Sequence, residues 1–158
     1  MKILFVCTAN ISRSFLAEQL LNHELSRLNL YHATCTSAGI SALAGYPPDP
    51  RMVDFLYEQG KSIKEHQSKP VTKDLVDSAD LILVMERYHK QEILERWPWS
   101  EKKIRLLGEF LMDNSIVNDI IDPYGRSPRH YQLAQNQISL AIQNLIEKVI
   151  KPPRNHHA

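Results

Sequence analysis

The pattern of hydrophobic and polar positions predicts four short strands. Apolar runs cover residues 2–6, 80–85 and 104–107, and a more mixed run covers residues 32–37. A short apolar run between turn residues is typical of a strand that is buried on both faces of a parallel sheet. Three of the four runs have this form, so we predict a parallel sheet.

Helical periodicity fills most of the sequence between the strands. A first helix is predicted over residues 14–28, where leucines recur three and four positions apart, and another over residues 86–97. Between these two, Asp49 is the expected N-cap of a helix that ends at Gly60, and Thr72 is the expected N-cap of a short helix.

A long final helix is predicted from residue 127 to about residue 150, and residues 151–158 are expected to be a frayed tail. Strands that alternate with helices indicate an α/β fold with a single-layer, four-stranded parallel sheet and helices on both faces. The 158 residues are expected to form one domain. The apolar stripe of the final helix is predicted to be Leu133, Ile138, Ile142, Leu145, Ile146 and Val149.

The first strand ends at Cys7, and small or polar residues separate it from the first helix. Backbone N–H groups of such a strand-to-helix loop point inward, and the helix N-terminus adds positive partial charge. Arg13 at the far rim would add a planar guanidinium that matches two phosphate oxygens. These groups favour the thiolate of Cys7 and a bound dianion alike, so we predict a phosphate-binding loop after strand 1.

A plainer interpretation of the same residues is a buried strand cysteine followed by a solvated arginine. Cysteine is among the most buried residue types, and a Cys followed six positions later by Arg also occurs by chance. Its place at the carboxyl end of a strand favours the functional interpretation, because ligands of parallel α/β sheets bind there.

Asp122 is the candidate proton donor for a leaving group. Pro123 follows it and keeps the loop out of a helix, and apolar residues precede it. A carboxyl group that is partly desolvated in such a loop can act first as an acid and then as a base. Taken alone, the Asp-Pro pair is better explained as an ordinary turn.

Composition narrows the classes of function. The formal net charge of +1 gives no reason to expect a nucleic-acid partner, and no apolar run is long enough to insert into a membrane. No signal peptide is expected, and two cysteines, Cys7 and Cys35, do not form a disulfide framework. We expect a cytoplasmic protein with no metal site and no cofactor.

Five motifs occur in a characteristic order: CTANISRS, TSAGISA, GYPPDPR, DLILVMERYH and DPYG. Together they resemble the low-molecular-weight protein tyrosine phosphatases, in particular the bacterial branch, over nearly the whole chain. The resemblance implies hydrolysis of phosphotyrosine in proteins without a metal. By analogy, it suggests that a tyrosine autokinase of capsule or exopolysaccharide synthesis is the partner.

The resemblance also implies residue roles. Cys7 would be the nucleophile that becomes phosphocysteine, Arg13 would bind phosphate, and Ser14 would hydrogen-bond the thiolate. Asp122 would be the general acid and then the general base. The loop residues that would supply N–H groups are Thr8, Ala9, Ile11 and Ser12.

Asn10 would hold the loop open in a left-handed conformation, which asparagine tolerates. Ser37 and His66 resemble the residues that support Asn10. Leu43 and Tyr124 would wall a slot for a flat ring.

Three positions depart from the usual pattern of that family. Ser12 stands where a second cysteine is usual, so no disulfide within the loop can protect Cys7, and Cys35 could replace it only if the fold brought it close. Ala9 replaces a usual glycine, which requires a negative φ, and Phe15 replaces a usual proline. We therefore expect greater sensitivity to oxidation.

Three other functions remain as alternatives. Arsenate reduction needs a relay of further cysteines, and residues 86–97 contain none. Phosphoarginine hydrolysis is associated with a threonine where this chain has Ile11. A phosphopeptide-binding module without catalysis would not need Asp122. Solvated positions are expected for His89, His130 and the run from residue 61 to 69.

Overall fold

The computed structural model describes residues 1–111 and 119–153. Its strands are β1 (Lys2–Cys7), β2 (Thr34–Gly39), β3 (Leu81–Val84) and β4 (Ile104–Leu106), and its helices are α1 (Arg13–Arg27), α2 (Pro50–Glu58), α3 (Lys73–Ser78), α4 (Arg87–Arg96) and α5 (Pro128–Leu145). Short 3₁₀ turns at Pro98–Lys103 and Leu107–Phe110 flank β4, and a π-helical turn, Ile146–Ile150, extends α5.

The four strands form one parallel sheet in the order β2-β1-β3-β4. This confirms the predicted sheet, although β2 begins and ends two residues later than predicted. Because β1 is central, its carboxyl end lies between those of β2 and β3: Cys7 pairs with Gly39, and Val6 lies opposite Val84. Residues that follow these three strands therefore meet at one edge of the sheet.

Alternating residues of β1 supply the two cores. Ile3 and Phe5 face one side and belong to a cluster with residues of α1, α2 and α5. Leu4 and Val6 face the other side and belong to a cluster with residues of α3 and α4. The helices therefore cover both faces of the sheet, as predicted, and they bury β1 from Ile3 to Val6.

The N-caps predicted for α2 and α3 are confirmed. The Asp49 side chain accepts from the Arg51 N–H, and the Thr72 side chain accepts from the Leu75 N–H. Each cap satisfies a backbone donor that lacks a partner within its helix. Gly60 has a φ of 71° just beyond α2, a conformation that glycine adopts without strain.

The predicted stripe of α5 is wrong at Leu133, which is exposed. The buried stripe instead includes the small residues Ala134 and Ala141, beside Tyr131 and Ile138. Ala134 lies one position, or about 100° of helical rotation, from Leu133. The prediction failed because it chose large apolar side chains for the buried stripe, whereas alanine is buried where the helix packs closely against its neighbours.

Within residues 1–111 and 119–153, no helix is both long and apolar enough to span a membrane. The expected frayed tail falls largely on residues 154–158, which lie outside the described residues.

Candidate active site

A cavity of about 140 Å³ opens at the carboxyl end of β1. The loop that joins β1 to α1 forms its floor, and a distant segment that precedes α5 forms one wall. The structure thus brings together residues more than 100 positions apart in the chain. The lining residues are Cys7, Thr8, Ala9, Ile11, Ser12, Arg13, Asp122 and Tyr124.

Cys7 lies at the floor of this cavity and is 3% exposed. Its Sγ is 2.9 Å from Ser14 Oγ. Ser14 Oγ also accepts a hydrogen bond from Asn10 Nδ2, so the Ser14 hydroxyl proton is free to be donated to the sulfur. A donated hydrogen bond stabilises a thiolate over a thiol, and the contact predicted for Ser14 is present.

Asn10 adopts the left-handed conformation predicted for it, with a φ of 58°. Its side-chain amide donates to Ser14 Oγ and to Ser37 Oγ, both at 2.9 Å. Its carbonyl Oδ1 accepts from the Lys69 N–H at 3.0 Å. The fully buried Asn10 side chain therefore fixes the loop between α1, β2 and the segment before Pro70.

Ser37 and His66 both contact Asn10, as the resemblance implied. His66 Nε2 lies 2.8 Å from the backbone carbonyl oxygen of Asn10. A carbonyl oxygen can only accept a hydrogen bond, so Nε2 of His66 carries the proton. Ser37 Oγ donates to Glu18 Oε2 at 2.6 Å. Glu18, on α1, is also 3.5 Å from His66 Nδ1, so it connects the two supports. Sequence reasoning missed Glu18.

Arg13 is 2% exposed, which contradicts the plainer interpretation of a solvated arginine. One terminal nitrogen donates to the Ile120 carbonyl at 2.8 Å, and the other donates to Glu86 Oε2 at 2.9 Å. A guanidinium has five N–H donors, so these two bonds orient it, and within the described part of the chain three donors are left for a ligand. The charge of Glu86 compensates the buried cation.

Asp122 lies at the mouth of the cavity, with its Oδ2 3.7 Å from an Arg13 terminal nitrogen. Its Oδ1 accepts from the Tyr124 N–H at 3.2 Å, so Asp122 does form a turn, as the plainer interpretation proposed. The carboxyl group is half exposed rather than desolvated. Pro123 is buried and anchors the turn.

The remaining predicted lining residues divide into two groups. Thr8, Ala9, Ile11, Ser12 and Tyr124 line the cavity. Leu43 is 67% exposed and is not among the lining residues, so its role in a ring slot stays a prediction. Ser12 Oγ is buried and has no hydrogen-bond partner in the described part of the chain.

The departures from the expected motif are accommodated locally. Ala9 does not have the positive φ that only glycine adopts readily, which agrees with the expectation for this residue. Phe15 is fully buried, and its ring centroid lies 4.8 Å from that of His66. The phenylalanine therefore supports the histidine that holds Asn10.

Cys35 cannot protect Cys7 by forming a disulfide. Cys35 pairs with Ile3 in the sheet, whereas Cys7 pairs with Gly39, four residues further along. This offset separates the two cysteines by about 13 Å along the strands, beyond the roughly 7 Å between Cα atoms that a disulfide can bridge. Burial also raises the pKa of the Cys35 thiol well above its ordinary value.

His89 was expected to be solvated, and this prediction is wrong. It is fully buried, and its Nε2 lies 2.9 Å from Thr8 Oγ1. Burial, together with the nearby Arg13 charge, lowers the pKa of His89 from 6.5 to about 3. The prediction failed because a polar residue in the first turn of a helix gives no sign that a loop from another strand packs over it.

The expectation of a solvated segment over residues 61–69 is also wrong in part. His66 and the Lys69 N–H form hydrogen bonds with Asn10, and the Lys64 N–H donates to Gln19 Oε1 at 2.9 Å. His130, in contrast, is partly exposed and contacts Ser127 at the start of α5.

The side chains of the described residues include no group of three or more histidines, cysteines, aspartates or glutamates that could hold a metal ion. Chemically, the cavity combines the Cys7 sulfur, a fixed guanidinium, a strand-to-helix loop and a carboxyl group at the mouth. Such a set can hold a tetrahedral oxyanion, attack its central atom and protonate a leaving group.

The chain is similar to known proteins over nearly its whole length. The sequence model of the family described as "Low molecular weight phosphotyrosine protein phosphatase" matches residues 2–155. The chain is 37% identical over 147 residues to EpsP, a probable low molecular weight protein-tyrosine-phosphatase of Ralstonia nicotianae. The aligned region covers 93% of this chain and 94% of that protein.

Two solved structures are similar over nearly the whole chain. The arginine phosphatase YwlE, in a variant with a phosphorylated active-site serine, is 31% identical, with a TM-score of 0.87 and coverage of 98% of this chain and 99% of that one. Wzb of Vibrio vulnificus in complex with benzylphosphonate is 34% identical, with a TM-score of 0.83 and coverage of 94% and 98%.

Proposed function

Because the chain belongs to the low molecular weight phosphotyrosine protein phosphatase family, we propose that it hydrolyses phosphotyrosine in proteins through a phosphocysteine intermediate. The observation that carries this proposal is the arrangement of Cys7, Arg13 and Asp122 around one cavity at the carboxyl end of β1. A protein that only binds phosphopeptides needs no proton donor, so Asp122 supports catalysis.

In the first step, the Cys7 thiolate attacks phosphorus while the bond from phosphorus to the tyrosine oxygen breaks. Loop N–H groups and the free donors of Arg13 stabilise the charge on the three equatorial oxygens. Asp122 gives its proton to the departing phenolate. The half-exposed position of Asp122 at the mouth is compatible with contact to a leaving group that points toward solvent.

In the second step, water attacks phosphocysteine, and Asp122, now a carboxylate, takes a proton from that water. The sulfur leaves as a thiolate and inorganic phosphate is released. The hydroxyl of Ser14, 2.9 Å from Sγ, stabilises the departing thiolate. The phosphorylated serine in the YwlE variant supports a covalent phosphoenzyme in a protein with the same fold.

Phosphoarginine is the main alternative substrate, because YwlE is an arginine phosphatase. Ile11 and Tyr124 give the cavity two apolar walls, which favour a flat phenyl ring over a charged guanidinium group. Benzylphosphonate, the ligand of Wzb, also carries a phenyl ring. We therefore favour phosphotyrosine.

The test compares peptides of one sequence that carry phosphotyrosine, phosphoarginine or phosphoserine. We expect kcat/KM to be highest for phosphotyrosine. Ile11→Thr should lower the preference for phosphotyrosine over phosphoarginine, whereas Ile11→Val, which keeps a branched apolar side chain, should preserve it. A parent protein that hydrolyses phosphoarginine faster than phosphotyrosine would contradict the substrate assignment.

The general acid is tested with Asp122→Ala. The variant should lose at least about a hundredfold in kcat/KM on phosphotyrosine, but much less in kcat/KM on an aryl phosphate whose leaving group needs no proton, because kcat/KM reports the step in which the leaving group departs. Asp119→Ala is the matched control, because Asp119 is exposed and its carboxylate accepts from the Arg87 N–H. Equal rates for Asp122→Ala and the parent on phosphotyrosine would remove the acid assignment.

We further propose that the protein acts in the cytoplasm, where a reducing environment keeps Cys7 free. The tyrosine autokinase implied by the family resemblance remains the proposed partner. Purified phospho-autokinase should then lose phosphate when treated with the protein, and Cys7→Ser should abolish this loss.

A further inference from the structure

Thr8 is the residue immediately after the nucleophile, and its side chain bonds a different element from the rest of the loop. Thr8 Oγ1 lies 2.9 Å from Nε2 of His89, in the first turn of α4. The contact crosses from β1 to the segment that follows β3, which is the neighbouring strand. No step of the proposed mechanism uses either side chain.

The backbone fixes which nitrogen of His89 carries the proton. The Glu86 N–H donates to His89 Nδ1 at 3.0 Å, so Nδ1 is an acceptor and has no hydrogen. The ring nitrogen that remains, Nε2, is therefore protonated and donates to Thr8 Oγ1. The low pKa of His89 supports a neutral ring, and the charged groups that face it are Arg13 and Glu86.

Glu86 does not compete for this proton. Its Oε2 is 3.6 Å from His89 Nε2, which is too long for a hydrogen bond, and the same oxygen already accepts from Arg13 at 2.9 Å. Thr8 Oγ1 is thus the acceptor that the geometry assigns to His89.

A threonine hydroxyl that accepts from histidine retains its own proton for donation. In residues 1–111 and 119–153, the His89 contact is the one hydrogen bond of Thr8 Oγ1, so this proton has no protein acceptor there. Thr8 is partly exposed and lines the cavity together with Cys7 and Arg13. An oxyanion bound in that cavity would accept the hydroxyl proton of Thr8 as a hydrogen bond.

We propose that the Thr8 hydroxyl is a further donor to the bound phosphate group, and that His89 is a positioning residue that turns this hydroxyl toward the ligand. The proposal rests on the proposed function, because it assumes that the cavity binds phosphate. It adds one side-chain donor on the β3 side of the cavity, apart from the loop amides and Arg13. His89 touches Thr8 and not the substrate.

The first experiment measures the Kd of inorganic phosphate by calorimetry. Thr8→Val has nearly the same shape as threonine but no hydroxyl, and it should bind phosphate about tenfold or more weakly, as expected for a lost hydrogen bond to a charged group. Thr8→Ser keeps the hydroxyl and should stay within about threefold of the parent. Thr34→Val, at an exposed position of β2, is the control for the same substitution.

A second experiment examines the His89 contact with a double-mutant cycle. His89→Leu should weaken phosphate binding about as much as Thr8→Val, and the double variant should lose no more than either single one. His89→Gln can place an amide donor near the position of Nε2, so it should restore part of the affinity. If His89→Leu does not fold, the comparison of Thr8→Val with Thr8→Ser still decides the role of the hydroxyl.

The outcomes separate the two proposals. If the parent binds phosphate but hydrolyses none of the phosphopeptides, the proposed function fails, and the calorimetry still tests Thr8. If Thr8→Val binds phosphate as tightly as Thr8→Ser, the Thr8 proposal is overturned even in an active phosphatase. A change in melting temperature alone, with equal phosphate affinities in all variants, would also overturn it.

Discussion

At the scale of single residues, the site depends on holding the buried guanidinium of Arg13 in place while some of its N–H groups stay available to a ligand. Arg13 has two of its five donors occupied by Glu86 and the Ile120 carbonyl. Without Glu86, its charge would be buried with no carboxylate partner within hydrogen-bond distance, because Asp122 is 3.7 Å away at the exposed mouth.

Glu86→Ala should therefore lower the free energy of unfolding by about 3–5 kcal/mol, the usual cost of breaking a buried ion pair on one side. It should also lower kcat/KM at least about tenfold, because the guanidinium loses its orientation. Urea titration and steady-state kinetics measure the two effects.

Glu92→Ala is the matched control, since Glu92 is on α4, which begins directly after Glu86, and it pairs with Arg96 at the surface. That variant should change the free energy of unfolding by less than about 1 kcal/mol and leave kcat/KM unchanged. Equal effects of the two substitutions would contradict the role given to Glu86.

Sequence reasoning assigned the residues of the Cys7 loop but missed those that hold it from β3. Cys7 and Arg13 were found because they follow a strong strand pattern within a few positions, and the family resemblance added Asn10. Glu86 and His89 follow β3 in the same way, but their charges matched a solvated helix start equally well. Only the pairing of β1 with β3 shows that they lie beside the Cys7 loop, where they contact Thr8 and Arg13.

At the scale of elements, β2 is packed directly against the turn of the Cys7 loop. Gly39, at the end of β2, has no Cβ, and one placed there would lie 2.5 Å from the Thr8 carbonyl oxygen and 2.9 Å from the Asn10 nitrogen. Both neighbours are backbone atoms, which cannot move aside without reshaping the loop.

Gly39→Ala should therefore reduce kcat/KM by at least about tenfold and weaken phosphate binding. Gly60→Ala is a useful comparison, because Gly60 has a positive φ but open space around its Cβ position. It should cost about 1 kcal/mol of stability without changing kcat/KM. Normal kinetics for Gly39→Ala would show that the loop is not held by this contact.

The elements themselves were predictable because their signals are local. Buried strands, N-caps at Asp49 and Thr72 and the break at Gly60 each depend on a few neighbouring residues. The order of strands in the sheet, which aligns Cys7 with Gly39 and separates it from Cys35, depends on contacts between distant segments. Such registers do not follow from a single sequence.

At the scale of the whole molecule, the fold assembles the site from four distant segments. The Cys7 loop supplies the nucleophile, His66 and Lys69 hold Asn10, Glu86 and His89 come from the start of α4, and Asp122 comes from the segment before α5. Their order in the chain matches a family motif, which is why the resemblance located Asp122 although its local sequence indicated only a turn.

The covalent role of Cys7 is tested most directly by intact-protein and peptide mass spectrometry of rapidly quenched Asp122→Ala during turnover of an activated aryl phosphate. With this leaving group the first step proceeds, but hydrolysis of the intermediate is slow without the Asp122 base. We expect one phosphoryl group, located on Cys7, and none in Cys7→Ala/Asp122→Ala. A phosphoryl group on another residue, or turnover in the Cys7→Ala variant, would contradict the account.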